Sequence, residues 1–317
     1  MDTNPEFTAG YRPKLRRSQK RRERKELLAG LMFASPVLLG FLIFVLGPIV
    51  CTLLFSFTEY NIASTPKWVG LDNYAHLFRG KDAFFYPAVK ATFVYVFVSV
   101  PLGIAFSLAV ALLLNANIKG RAFFRGVFYL PVIIPLAASS MVWMWLLQPD
   151  FGIVNYVLGV LHLPTSPWLS SDETVLPTLI LFSVWLTGNT IVIFLAGLQN
   201  IPSHLYEAIE VDGGTLLHKM VYITLPMSSP IIFFNTVIAF INAFQTFVQP
   251  AVMTQGGPNN ASLLYVYYLF QEAFKFSRFG SASASAFLLF IVVMLVTGIL
   301  FRFSKSLVYY EGQDHRT

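Results

Sequence analysis

The feature that most constrains this chain is a run of long apolar blocks whose interiors carry no charge. Six such blocks, at roughly 28–57, 89–114, 127–148, 175–197, 230–252 and 283–303, are long enough to cross about 30 Å of hydrocarbon as helices. The composition agrees. Hydrophobic residues make up 56% of the chain and charged residues 12%, against about 25% charged in an ordinary soluble domain. The reading is an all-α membrane protein of about six transmembrane helices. Pro36, Pro48, Pro101, Pro131 and Pro135 fall inside the blocks, where neighbouring helices can satisfy the carbonyls a proline frees.

A net charge of +6 could suggest nucleic acid, but its distribution argues otherwise. Nine of the basic residues lie between Arg12 and Lys25, just before the first block. That is the flank a cytoplasmic end needs to hold its side of the membrane. With the N-terminus inside, the inner segments carry sixteen Lys and Arg and the outer loops six, which predicts that both termini are cytoplasmic. Trp68, Trp168, Tyr265, Tyr267 and Tyr268 then fall in or near outer loops, where aromatic rings suit the interface. The chain divides into a basic N-terminal segment 1–27, a transmembrane region 28–303 containing an inner loop 198–229, and a C-terminal tail 304–317. Met1 to Phe7 are set aside from fold reasoning. The first block is too long for a cleavable signal peptide, and no small-residue cleavage site follows it.

Several chemistries lack their residues. No block holds Asp, Glu, Lys, Arg or His in its core, which argues against proton-coupled carriers and voltage sensors. Sodium coupling through carbonyls and hydroxyls is not excluded by this. Gly213-Gly214-Thr215-Leu216-Leu217-His218-Lys219 lacks the spacing of a phosphate-binding loop, and there is no H-E-x-x-H. The single cysteine, Cys51, permits no internal disulfide and no Cys-based cluster, and His76, His162, His204, His218 and His315 all lie between or beyond the blocks. The chain is read as having no catalytic, cofactor or metal residues of its own. If it moves a solute uphill, the energy comes from a partner chain.

The inner loop is the most informative stretch. Ile201-Pro202-Ser203 starts a short helix, with Ser203 available as a cap. Gly213-Gly214 breaks it, and a second short helix runs to Leu225-Pro226. The expected result is a helix–glycine–helix elbow on the cytoplasmic face. This loop resembles the E-A-A…D-G…I-x-L-P signature of ATP-binding-cassette importer permeases. The matching residues are Glu207, Ala208, Asp212, Gly213, Ile223, Leu225 and Pro226. Ile209 stands where a second alanine is usual, and Gly214 where a small residue is common. The resemblance runs over nearly the whole chain. Val69-Gly70-Leu71-Asp72-Asn73-Tyr74, Lys119–Arg125 and Gly256-Gly257-Pro258-Asn259-Asn260-Ala261 are similar to the sugar-importer branch, of the maltose and glycerol-phosphate type.

That resemblance implies a type I importer permease fold in the inner membrane of a bacterium or archaeon. It implies that the first short helix couples to an ATPase, with Glu207 at the contact and Gly213 permitting the turn. It also implies the partners: a second permease, identical or different, an ATPase dimer that binds ATP and magnesium, an extracytoplasmic sugar-binding protein, and membrane lipid. Lys119–Arg125 reads as ordinary inside anchoring or as a minor ATPase contact. Gly256-Gly257-Pro258 reads as a connecting turn or as part of the outer mouth beneath the binding protein.

A sugar path is sought in the fifth block. At about 100° per residue, Asn235, Asn242, Thr246 and Gln249 share one face, with Gln245, Phe244 and Phe247 beside them. A lipid-facing stripe of this kind would be costly, so the face meets protein or water. It is either a path for hydroxyl-rich solutes or interhelical hydrogen bonding. Trp185, Thr187, Asn189 and Thr190 form a second polar cluster in the fourth block. The rival reading is an ion-coupled secondary carrier of a polar solute.

Overall fold

The computed structural model describes residues 12–116 and 119–307. Met1 to Phe7 and most of the 304–317 tail lie outside them. The chain divides after Phe55 into two units. The first holds α1 (Arg12–Phe41), a π-turn over Leu42–Leu46, and most of α2 (Gly47–Ser56). Lys25–Ser56 is long and apolar enough to cross a bilayer. Met32, Phe33 and Phe44 in it are 75%, 88% and 78% exposed, a surface suited to lipid or to another protein.

The second unit opens with two short antiparallel strands, β1 (Thr58–Glu59) and β2 (Lys67–Trp68), pairing Thr58 with Trp68. The helices that follow are α3 (Asp72–Phe78), α4 (Phe85–Asn115), α5 (Arg121–Ile133), α6 (Leu136–Leu146) and α7 (Ile153–Val160). Then come α8 (Asp172–Trp185), α9 (Gly188–Gln199), α10 (Ser203–Val211), α11 (Leu216–Lys219), α12 (Leu225–Phe244), α13 (Tyr265–Phe270) and α14 (Phe279–Leu307). The central post is α4, which packs on α8, α9, α12 and α13. Its Tyr95, Val96 and Val100 meet Phe182, Phe240 and Phe244 in one core. One end of the same helix places Val110 and Leu114 against Phe194 and Leu198 in another. Close approach is possible because α4 carries Gly103, where a Cβ would sit 3.2 Å from Thr187 Cγ2.

Four single helices can cross a membrane, and two bent pairs raise the number to six if each counts as one span, among the described residues. The spans differ from straight blocks in instructive ways. The third bends by 106° between α5 and α6. Pro135 drives this break, because a proline forces the residue before it out of helix, and Ile134 is extended at φ −80°, ψ 132°. The fourth bends by 44° between α8 and α9. The fifth runs from Leu216 to Phe244, not from 230 to 252. No separate short helix ends at Leu225-Pro226: α11 passes through a π-turn at Met220–Thr224 straight into α12. Pro226 lacks an N–H and crowds the carbonyl four residues back, and the wide turn just before it absorbs that defect.

A buried acidic corner joins α4, α13 and α14. Asp82 Oδ1 accepts from the N–H groups of Phe84 (2.8 Å) and Phe85 (3.3 Å), capping α4, and Oδ2 accepts from the Tyr268 hydroxyl at 2.7 Å. Glu272 follows in a π-turn, with its side chain 1% exposed and the Arg278 guanidinium 3.7 Å away. Burial, and then the charge of Asp82, push the Glu272 carboxyl above the usual carboxylate range, while Arg278 opposes them. A folded carboxyl with a raised pKa binds its proton more tightly than the unfolded chain does. Its ionisation therefore lowers stability as pH rises from the unfolded value towards the folded one. Glu272→Gln is expected to raise the melting temperature at pH 8, with the gain fading as the pH approaches 4.5. Thermal melts in detergent across that range check it.

A polar cavity and an exposed elbow as the candidate functional site

A polar concavity within the bundle opens where α12 stops. Phe244 ends the helix, and Thr246 and Phe247 are unwound before the chain turns helical again towards Pro250. At the break the Gln245 N–H reaches Asn242 O at 3.1 Å and the Thr246 N–H reaches Ala243 O at 3.3 Å. A break at membrane depth is tolerated only where protein or a water-filled cavity receives the freed groups. Here a cavity of about 410 Å³ does so, within the ~300–1,000 Å³ range of small-molecule sites. Asn242, Gln245, Thr246 and Gln249 line one side, and Tyr95 and Ser99 of α4 face them. Ser183, Thr187 and Thr190, around the α8–α9 bend, complete the polar lining. No Asp, Glu, Lys, Arg or His lines it. Such a wall offers hydroxyl and amide hydrogen bonds to an uncharged polar ligand.

The expected path residues separate on this geometry. Asn242, Gln245, Thr246 and Gln249 come together at the cavity, but through the unwound turn rather than along one helical face. Asn235 is buried two turns away, and its Nδ2 donates to Ile231 O at 2.9 Å on its own helix. Phe244 is 2% exposed and meets Phe93 and Phe97 edge-on at 5.7 and 6.4 Å. Phe247 is the aromatic residue beside the break that lines the cavity. Trp185 packs with Trp143 and Phe182 at 5.4 and 5.9 Å, and Asn189 is exposed outside the lining. Thr187 and Thr190 line the cavity instead, because the bend before α9 turns that face inward. No motif or period in the sequence points to Tyr95, Ser99 and Ser183. The only signal for them there is a hydroxyl at intervals in otherwise apolar helices.

The elbow lies at the other end of the same span. Pro202, extended at ψ 131°, occupies the cap position of α10, so Ser203 is its first residue and no side chain caps it. The helix ends at Asp212, and Gly213 turns the chain at φ +74°, a conformation costly to any residue with a Cβ. The Gly213 N–H reaches Glu210 O at 3.0 Å and the Gly214 N–H reaches Ile209 O at 2.8 Å, closing the helix end. Glu207, Ala208, Asp212 and Gly213 are exposed on the rim. Val211, Leu216 and Leu217 beside them are 88%, 83% and 70% exposed. Apolar side chains this open, ringed by carboxylates, suit a protein contact. Ile223 is buried and Pro226 half-buried, while Leu225 at the foot of α12 is exposed. Among the seven signature residues the first four thus form an exposed rim, and Ile223 is the one packed into the base.

Near α8 and α13, Gly256, at φ +82°, and the cis Gly257–Pro258 bond shape a tight turn. Asn259 Nδ2 ties it to Asp172 Oδ2 at the start of α8, 2.9 Å away. In the basic patch, Arg125 Nη2 reaches back to Leu114 O at 3.5 Å, which holds the start of α5 to the end of α4.

Comparison with known proteins places this geometry. Residues 84–308 match the family described as binding-protein-dependent transport system inner membrane component. The probable ABC transporter permease protein YesP of Bacillus subtilis is 42% identical, over 92% of this chain and 95% of that protein. The arabinooligosaccharides transport system permease protein AraP of Bacillus subtilis is 30% identical, over 87% of this chain and 88% of that protein. A chain of the bacterial alginate ABC transporter, solved with an alginate-bound periplasmic protein, shares the fold at a TM-score of 0.78. Its identity is 23%, over 90% of this chain and 96% of that one. With more than half its length inside the family match and a relative 42% identical over 92% of it, this chain belongs to the inner-membrane permease components of binding-protein-dependent transport systems.

Proposed function

We propose that the chain is one of two permease subunits in an ATP-driven importer of an uncharged sugar or oligosaccharide, and that it forms half of the translocation path. The observation that carries this reading is a single span, residues 216–244, with an exposed elbow at one end and an uncharged hydroxyl- and amide-lined cavity at the other. One helix thus links the surface that an ATPase would grip to the wall that a sugar would touch. The arabinooligosaccharide permease among the relatives supports the substrate class. An ATPase dimer binds ATP and magnesium beneath the elbow, and an extracytoplasmic binding protein delivers the sugar on the opposite side. Both termini lie on the ATPase side, in the inner membrane of a bacterium or archaeon. Glu207, Ala208, Asp212 and Gly213 meet the ATPase, while Ile223, Leu225 and Pro226 join that contact to the span. Asn242, Gln245, Thr246 and Gln249, with Tyr95, Ser99, Thr187 and Thr190, carry the sugar past.

The cavity assignment is tested by Asn242→Leu and Thr246→Val. Each removes a hydrogen-bonding group while roughly keeping its volume. Losing one bond to a bound hydroxyl is worth about 1 kcal/mol, or about fivefold. Sugar uptake by cells carrying either variant is expected to fall by about that factor, with the complex still assembled. Unchanged uptake in both would remove this wall from the path.

A further inference from the structure

Two successive glycines, Gly213 and Gly214, read as a hinge, yet the structure crosses them with three side-chain contacts. Tyr206 on α10 places its hydroxyl 3.1 Å from Thr224 Oγ1 in the π-turn, and that oxygen also donates to Lys219 O at 3.2 Å. Thr224 is buried. Glu210 and Lys219 form an ion pair across the corner, and the Lys219 side chain is only 19% exposed. The Glu210 side chain is 63% exposed, so water screens the pair and it fixes the direction of the corner more than it adds stability. Third, Ile209 packs against Gly214 so closely that a Cβ there would overlap Ile209 Cγ2 and come within 2.9 Å of its carbonyl oxygen. The two departures from the usual signature are therefore one adaptation: the bulk of Ile209 fills the space that Gly214 leaves.

We propose that Tyr206–Thr224, Glu210–Lys219 and Ile209–Gly214 pin the elbow into a rigid corner, so that α10 and the span 216–244 move as one lever. The far end of that lever is the Asn242–Gln249 wall of the cavity. The span has 29 residues, an arm of roughly 40 Å. Slack of about 10° at the corner would be worth about 7 Å at the far end, and a stroke of that size would be lost in it. A glycine corner without pins would leave that slack. Tyr206, Glu210, Lys219 and Thr224 act here as positioning residues, through the span rather than on the sugar. The inference rests on the importer reading.

The test uses the whole transporter, assembled with its partner subunits in nanodiscs, and compares sugar moved per ATP hydrolysed. Tyr206→Phe combined with Lys219→Met is expected to lower that ratio about fivefold while the ATPase still co-purifies in full. The exchange Glu210→Lys with Lys219→Glu is expected to recover most of the wild-type ratio. A second readout follows the corner directly. Spin labels at His204→Cys and Val221→Cys, in a Cys51→Ser background, are expected to give one narrow distance with and without ATP. Tyr206→Phe, which removes a single oxygen and leaves the ring, is expected to broaden it. Wild-type coupling and a wild-type distance distribution in these variants would overturn the lever. Coupling that survives Glu207→Lys as well would instead overturn the importer reading on which it stands.

Discussion

A Glu207→Lys chain is expected to fold, insert and assemble, yet to lose at least tenfold in sugar-stimulated ATP hydrolysis. Glu207 stands exposed on α10, so the fold does not lean on it. Its carboxylate heads a rim that includes Asp212 and the open side chains of Val211, Leu216 and Leu217. Reversing a charge that a partner has paired leaves that partner's group facing its own sign. Truncating one side of such a pair already costs about 2–5 kcal/mol, and each 1.4 kcal/mol is a factor of ten. The measurement is ATP hydrolysis by the purified complex with and without sugar-loaded binding protein. Glu207→Gln, which keeps shape and loses only charge, is expected to fall between the two. A Lys variant stimulated like the wild type would place the ATPase contact elsewhere.

Gly188→Val is expected to disturb the fold itself. Gly188 begins α9 at the bend behind Thr187 and Thr190, and a Cβ there would overlap the backbone oxygen of Phe128 and lie 2.9 Å from Val132 Cγ2. A carbonyl on a neighbouring helix cannot rotate away as a side-chain tip can, so α5 and α9 must separate. Overpacking of this kind costs about 1–3 kcal/mol, and a loss of several degrees in melting temperature follows. Gly298→Ala is the internal control. Nothing lies within 4 Å of a Cβ at that position, so alanine there is expected to be neutral or to stabilise α14 by up to ~1 kcal/mol. Thermal melts of both variants in detergent separate a specific clash from a general effect of replacing glycine.

The membrane class was legible because charge-free length is a one-dimensional property, and a helix must have it to cross hydrocarbon. The elbow was legible for a different reason. Its turn depends on Gly213, and its identity on seven residues at fixed spacing. What the sequence hid were the places where helices stop. Pro135 could equally have sat in a kinked continuous helix. Only the extended Ile134 and the 106° bend show that it ends one. The apolar pattern carries the amide stripe on a helix to 252, whereas the chain unwinds after Phe244. Four of the named polar residues still reach the cavity, because unwinding beside Asn242 gathers them. Asn235, expected on the same face, and Phe244, expected beside it, pack into protein. Tyr95, Ser99 and Ser183 come from other helices, and no period within one block could bring them to that site. Pro250, which opens the next π-turn, is the residue that could have flagged the break.

The most direct test of the account is to purify this subunit from cells expressing its native neighbours and to identify what accompanies it by mass spectrometry. ATP hydrolysis is then assayed on the same sample with and without sugar-loaded binding protein. The account predicts an ATP-binding-cassette ATPase and a second permease in the complex, with hydrolysis stimulated by the loaded binding protein. A stable complex that contains no ATPase and still moves solute down an ion gradient would contradict it.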